Sequence, residues 1–303
     1  MVTGGAGFIG SHIVDELLRE NYQVVIVDNL VTGREGRIPA EASFYKADIR
    51  TSLEDIFTIE KPDIIIHQAA QVSVSNSVSD PLYDAELNIL GTVNLLNCAV
   101  KHRIKKFIFA SSAAIYGNPH FLPITENHPS QPLSFYGLSK LTAESYIQMF
   151  ADYHDLPYSI LRYSNVYGTR QDAYGEAGVI AIFKEKILAG ESPSVYGDGH
   201  QTRDFIYVKD VAKANVAAIT NKSSGIYNIS SHERISVLEL IKEFEKITSE
   251  DVNVTFFEER NGDIRDSVLS NVKASADLKW LPETVIQTGL KMTLEEESPV
   301  SIV

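Results

Sequence analysis

Met1-Val-Thr-Gly4-Gly-Ala-Gly7-Phe-Ile-Gly10-Ser11 opens the chain, and this Gly-x-x-Gly-x-x-Gly stretch decides how the rest is read. Glycines at this spacing let the backbone turn tightly and lie against a pyrophosphate, which then rests on the positive end of the following helix. That helix begins at once, with Ile13, Val14, Leu17 and Leu18 as an apolar stripe at helical spacing. A strand, Gln23-Val-Val-Ile-Val27, comes next and ends in Asp28, 18 residues beyond Gly10. An acid there can accept the hydroxyls of a ribose, so loop, helix, strand and acid in register predict a dinucleotide site. Asp28 would repel a 2′-phosphate and so favours NAD over NADP; Arg34, a few residues on, leaves that alternative open. Only Met1-Val2-Thr3 precede the loop, too few for a full first strand, and residues are expected to be missing before Met1.

Strand and helix alternate outward from this unit. Ser43–Ala47 is a strand whose end, Asp48-Ile49, could touch an adenine. Asp63–His67 is a wholly apolar strand of the buried parallel kind, followed by Gln68-Ala69-Ala70, small residues that let a cofactor lie close. A long helix (about Pro81 to His102) leads to the strand Lys106–Ala110, which runs into Ser111-Ser112 at the carboxyl edge where open α/β sheets place ligands. An irregular loop (about Asn118 to Pro132), a helix from Ser134 and a sixth strand, Tyr158–Arg162, complete this half. The fold class is therefore α/β, a doubly wound parallel sheet. After Gly168 the rhythm breaks, with helical runs near Ala177–Leu188, Lys209–Ile219 and Val237–Ile247. Residues 1–167 are expected to form the dinucleotide domain, with a return segment near 204–230 that includes the strand Ile226–Ile229. Residues 168–303 are expected to form mainly a smaller α/β substrate lobe, with a loose acidic tail after Leu294.

Composition narrows the partners. A chain of 303 residues with 44% hydrophobic and 22% charged residues can bury a full core. A net charge of −13 argues against nucleic acid, which wants a basic face. No apolar run approaches the ~20 residues of a membrane span, so no membrane partner is expected. The lone cysteine, Cys98, excludes an internal disulfide framework, fits a reducing cytoplasm, and reads as an inert buried thiol. The eight histidines show no metal-ligand spacing, and no metal is expected.

One further stretch carries chemistry. In Tyr136-Gly-Leu-Ser-Lys140 the tyrosine and lysine stand four apart, on one helical face, with Ser134 as candidate N-cap. A phenol titrates near pH ~10, and an ammonium one turn away favours the phenolate. A tyrosine poised in this way suits removal of a proton from a sugar hydroxyl.

With the glycine loop, Asp28, the Ser111-Ser112 strand end and Tyr136-x-x-x-Lys140 in this order, the chain resembles an extended short-chain dehydrogenase/reductase. Within that group it resembles the UDP-glucose 4-epimerase family. Arg162-Tyr-Ser-Asn165-Val-Tyr-Gly168, Gly197-Asp-Gly199 with Arg203-Asp204-Phe-Ile-Tyr207, and Arg260-Asn-Gly-Asp263 agree with it. The resemblance implies a Rossmann-type sheet and tightly held NAD. The cofactor would touch Gly4, Gly7, Phe8, Ile9, Gly10, Asp28, Asn29, Asp48, Ile49, Gln68, Ala69, Ala70, Tyr136, Lys140 and Tyr163. Tyr136 would take the proton from the sugar 4-hydroxyl, Lys140 would hold the nicotinamide ribose, and Ser112 would hydrogen-bond the same oxygen. A UDP-sugar would meet Ser73, Ser112, Tyr136, Asn165, Val179, Tyr196, Arg203, Arg260, Asp263 and Ser267, with the two arginines on the diphosphate. In the family, the residue four after the Asp of Arg-x-Gly-Asp walls the hexose pocket. Here it is Ser267, small enough to admit N-acetyl sugars as well as plain hexoses. A two-fold homodimer is implied through Pro81–His102 and the Tyr136 helix, whose Leu141, Ile147 and Phe150 exceed one core-facing stripe.

Departures from relatives separate the chemistries. Sugar 4,6-dehydratases carry an Asp-Glu pair, and decarboxylases a Glu, where this chain has Ala113-Ala114. Two methyl groups cannot do acid-base work. A protein that keeps NAD only as a structural ligand would be expected to lose the tyrosine, lysine or serine. An NADPH-dependent ketone reductase is disfavoured by Asp28. Which hexose is preferred, and whether a uronic acid is accepted, stays open at this stage.

Overall fold

Short apolar strands separated by amphipathic helices pair in parallel, because each crossover returns the chain to the same edge of the sheet. The computed structural model describes residues 1–172, 178–259 and 264–295. Its main sheet has seven parallel strands: β1 (Val2–Thr3), β2 (Val25–Asp28), β3 (Ser43–Lys46), β4 (Ile64–His67), β5 (Lys106–Ser112), β6 (Tyr158–Tyr163), and the strand Gly225–Ile229. The spatial order is Gly225–Ile229, β6, β5, β4, β1, β2, β3. Val2 and Thr3 stand in register against both β2 and β4, at the centre of the sheet.

Helices cover both faces. On one lie α1 (Phe8–Arg19) and, far along the chain, the helix Val208–Thr220; their Ile13, Val14, Leu17, Val211, Ala214 and Ala218 share a core with Ile26, Ile66 and Ile108 of the sheet. On the other, α2 (Glu54–Glu60) is followed by α3 (Val74–Ser79), α4 (Pro81–Ala85), α5 (Gly91–Lys101) and α6 (Phe135–His154). Leu95, Leu96, Ala143 and Ile147 pack there against Ile65, Phe107 and Phe109. Cys98 is buried in α5, and burial raises its thiol pKa.

Three local expectations need correction. The helix from Pro81 is not uniform: Glu86–Leu90 form a π turn between α4 and α5. Helix α3 was not expected, because six residues with only Val74 and Val78 apolar are too short a run to mark a helix; Ser73 caps it by accepting from the Asn76 amide at 3.2 Å. On α6, Ile147 is fully buried and Phe150 half-buried, so the surplus apolar residues are instead Leu138, Tyr146, Met149 and Tyr153, all exposed.

The second lobe is assembled from small pieces. The strand Asn165–Tyr167 pairs with Phe205–Tyr207, Thr202–Arg203 with Ile235–Ser236, and Ser194–Tyr196 with Thr255–Phe257. Helices α7 (Val179–Leu188), α8 (Val208–Thr220), α9 (Val237–Thr248), α10 (Val272–Leu278) and α11 (Ile286–Glu295) complete the described chain. Phe183, Leu240, Phe244 and Leu290 form this lobe's core around Tyr167 and Tyr207. Helix α8 leaves it to pack on α1, and Gly225–Ile229 pairs with β6, so the chain crosses back into the main sheet.

Candidate active site

β1 and β4 are neighbours in the sheet but not in sequence, and at such a reversal a crevice opens beyond the carboxyl ends of the strands. Gly4, Gly7, Phe8, Ile9, Gly10, Asp28, Asn29, Ile49, Gln68, Ala69, Ala70 and Ser73 all line it. A Cβ at Gly10 would lie 2.0 Å from the Gly4 carbonyl oxygen, so the loop closes on itself only with glycine there. No side chain caps α1 and its first turn holds no acid, which leaves the helix dipole for an anion. Asp28 is buried; its carboxylate accepts from the Ala6 amide at 3.0 Å and the Leu30 amide at 2.8 Å, tying glycine loop to strand end. These features fit a dinucleotide.

Four of the expected cofactor residues are not part of the crevice lining: Asp48 and Tyr163, and Tyr136 and Lys140, which belong to the edge that carries Ser112. Asp48 lines a neighbouring hollow and grips Arg50 at 2.9 and 3.0 Å, which holds its carboxyl down at about 2. Tyr163 is buried in the sheet, and burial pushes its phenol up to about 12. Its hydroxyl accepts from Gln68 Nε2 at 3.0 Å and Asn215 Nδ2 at 2.8 Å, so it supports Gln68 from behind.

Beside this crevice lies the edge that carries Ser112. Ser134 caps α6 by accepting from the Gly137 amide at 3.1 Å, so the helix starts one residue before Tyr136. A Cβ on Gly137 would sit 2.6 Å from the Ala114 carbonyl; glycine lets the first turn of α6 lie directly on the turn Ala113–Ile115. Ser112 begins that turn and accepts from the Ala114 amide at 3.1 Å. Lys140 is buried, donates from Nζ to the Ala110 carbonyl at 2.9 Å, and stands 6.0 Å from the centre of the Tyr136 ring. Tyr136, Lys140 and Ser112 therefore come from two elements in direct contact.

Behind them is a network that sequence reading did not single out. Glu144, one turn past Lys140, accepts from Arg162 Nε at 3.0 Å and NH2 at 2.6 Å, and from the Ser111 hydroxyl. Arg162 also donates to the Tyr116 hydroxyl at 2.9 Å, and Tyr116 donates to Asn228 at 2.7 Å. The available signal was spacing: Tyr136, Lys140 and Glu144 recur every four residues on a face that must be buried. Asn88, on the π turn, accepts from the Gln71 amide at 2.9 Å and donates to Ser139 Oγ at 3.1 Å, fastening the crevice wall to α6.

Of the expected substrate residues in the second half of the chain, Asn165 and Arg203 stand beside Asp204. Asn165 is exposed, and its Nδ2 donates to the Asp204 carbonyl at 3.0 Å. Arg203 is half-buried beside it. The Asp204 carboxylate is fully buried and accepts from Ser164 Oγ, the Ser231 amide and hydroxyl, and the Leu269 amide at 2.8–3.1 Å. Ser267 is buried rather than solvent-facing, with its amide on the Thr202 carbonyl at 3.3 Å. Tyr196 stacks on Phe257 with ring centres 5.5 Å apart, and Val179 opens α7 against the second lobe's core. Arg260 and Asp263 lie outside the described residues. Among the described residues no cluster of His, Cys, Asp or Glu could hold a metal, and no helix is long and apolar enough to cross a membrane.

Residues 1–230 match the NAD dependent epimerase/dehydratase family. The chain is 40% identical over 303 residues to the UDP-glucose 4-epimerase of Mycolicibacterium smegmatis, covering 97% of each. The crystal structure of a UDP-glucose 4-epimerase with UDP-glucose from Thermotoga maritima matches with a TM-score of 0.95 at 43% identity, over 97% of this chain and 96% of that one. A UDP-N-acetylglucosamine 4-epimerase from Methanobrevibacter ruminantium, in complex with UDP-N-acetylmuramic acid, matches with a TM-score of 0.92 at 36% identity and the same coverage.

Proposed function

The chain belongs to the NAD-dependent epimerase/dehydratase family, and from that premise we propose that it inverts C4 of UDP-hexoses through a transient 4-keto sugar. UDP-glucose and UDP-galactose are its substrates, and the N-acetylhexosamine forms with them. The observation that carries the reading is the capped start of α6, which sets Tyr136 and Lys140 against the Ser112 turn beside a dinucleotide crevice. The test is to incubate the purified protein with each UDP-sugar, without added reductant, and follow the 4-epimer by NMR. Steady accumulation of NADH in step with product would overturn the reading in favour of a dehydrogenase.

Bound NAD supplies a reversible two-electron acceptor for C4, held by Gly4, Gly7, Gly10 and Asp28. Tyr136, as phenolate, accepts the 4-hydroxyl proton and later returns it to the keto oxygen. Lys140 favours that phenolate by its charge, within a site where burial strengthens the interaction. The Ser112 hydroxyl donates to the same sugar oxygen and steadies its developing charge. Ala113 and Ala114 bring no acid or base, which supports epimerisation over dehydration. Asn165, Arg203 and Tyr196 grip the nucleotide portion, together with Arg260 and Asp263, while the hexose stays loosely held and can turn. Ser267 walls the hexose pocket and leaves space for an acetamido group. Residues 1–167 with the return segment 204–230 serve the cofactor, and the remainder mainly serves the substrate.

A homodimer is supported by the exposed apolar residues Leu82 and Leu90 of the helices near Pro81–His102 and Leu138, Met149 and Tyr153 of α6. Light scattering at micromolar concentration should give twice the chain mass. A cytoplasmic location accords with the single reduced thiol of Cys98.

A further inference from the structure

The loop after β2 carries two arginines, Arg34 and Arg37, within ten residues of Asp28. Free guanidinium groups in that place would suit the 2′-phosphate of NADP, since their planar fork matches phosphate oxygens bidentately. The loop is at the site, because Val31 and Thr32 line the crevice and the Arg34 amide donates to the Ala6 carbonyl at 3.0 Å. Both arginine side chains are nonetheless engaged by one short segment, residues 170–172, that follows the strand Asn165–Tyr167. The Arg34 fork grips both oxygens of Asp172, at 2.6 and 2.7 Å, across 138 residues of sequence. Arg37 donates to the Arg170 carbonyl at 2.6 Å. The segment is itself anchored to the phosphate-binding helix: Arg170 pairs with Asp15 at 2.7 Å, and His12 Nε2 donates to the Thr169 carbonyl at 3.0 Å. Burial lowers the His12 pKa to about 4, so the imidazole is neutral and serves there as a plain donor.

We infer that Asp172 is a determinant of cofactor choice, acting by holding the Arg34 guanidinium away from the adenosine ribose. Asp28 repels a 2′-phosphate directly; Asp172 removes the cation that would otherwise offset that repulsion. The inference rests on the reading that the crevice takes NAD. If the ion pair only ties the loop down, releasing Arg34 would change both nucleotides alike.

The experiment is competition for the whole protein by NAD and NADP together in equal excess, followed by desalting and chromatographic measurement of what is retained. The pair is exposed, so Asp172→Asn leaves the fold intact. The retained NADP-to-NAD ratio is expected to rise about fivefold in Asp172→Asn, near the most that one exposed ion pair is worth. In Arg34→Ala/Asp172→Asn the ratio should return to that of the unmodified protein. An unchanged ratio in the single variant, or a raised ratio that persists in the double variant, would overturn the inference. Retention of neither nucleotide by the unmodified protein would instead overturn the cofactor reading, and the inference with it.

Discussion

Around the dinucleotide crevice, recognition is left mostly to the main chain. Gly4, Gly7 and Gly10 remove side chains, α1 is left uncapped, and Asp28 spends its carboxylate on amides of Ala6 and Leu30. At the neighbouring edge of α6 and in the second lobe the reverse holds. Asp204 gathers Ser164, Ser231 and Leu269 from three segments, and Glu144 with Arg162 joins α6 to β5 and β6. A cofactor common to many enzymes is met by backbone geometry, which tolerates no side chain at Gly4 or Gly10. The α6 edge and the second lobe depend on buried charges whose partners lie far apart, and such networks fail when one member is removed.

The largest break should come at Tyr136. Tyr136→Phe removes only the ionisable oxygen, and loss of an acid-base group typically costs ~10² to 10⁴ in rate. Turnover should fall that far while nucleotide retention stays unchanged; near-normal turnover would show that another group takes the proton. Glu144→Gln comes next. It leaves the buried Arg162 unbalanced, and breaking such a pair costs about 3–5 kcal/mol, to be read as a lowered unfolding midpoint in urea. If stability is unaffected, the network is not a support of the catalytic edge.

Acid should separate the two regions more gently. Burial lowers His12 to about 4 and His67 to about 3 on the cofactor side, against an ordinary histidine value near 6.5. These groups bind protons more weakly when folded, so their contribution is full above ~6.5 and is lost as pH falls through the interval to ~4 and ~3. Each pH unit inside that window costs up to about 1.4 kcal/mol per histidine. Asp204 pulls the other way: burial raises its pKa, and its contribution grows as pH falls. Urea unfolding between neutral pH and the carboxylate range should show the loss, and His12→Gln should flatten it by one histidine's share. Equal slopes in the two proteins would count against a buried neutral His12.

The smallest expected effect is one of choice between sugars. Ser267→Tyr should depress activity on N-acetyl sugars while glucose–galactose interconversion survives, because forced overlap in a packed site costs ~1–3 kcal/mol. If both activities fall together, or neither moves, Ser267 is not the wall of the hexose pocket.

This asymmetry also explains what could be read before any coordinates. Glycine loop, helix, strand and Asp28 lie within 28 residues, and each step constrains the next, so the parallel sheet and the crevice were legible. Ser134 as the cap of α6 was legible for the same reason, since capping is local. The π turn at Glu86–Leu90 was not, because one extra residue in a turn leaves no mark on a helical pattern. The exposed stripe on α6 could have been read, because Ile147 stands three residues past Glu144 on the buried face and Met149 does not; in the core Ile147 joins Phe107 and Phe109 while Met149 stays exposed. The partners of Asp204, 27 to 65 residues away, follow from tertiary structure alone.

The return of Gly225–Ile229 to the side of β6 has a consequence for biosynthesis. Between Tyr163 and Gly225 lie 61 residues, and until they and the last strand leave the ribosome, β6 stays an open edge. At ~5–20 residues per second that interval is about 3–12 s, in which a row of unpaired amides is presented to any neighbouring nascent chain. Arg162 sits on that strand, and a charged residue on an open strand discourages two unfinished edges from joining.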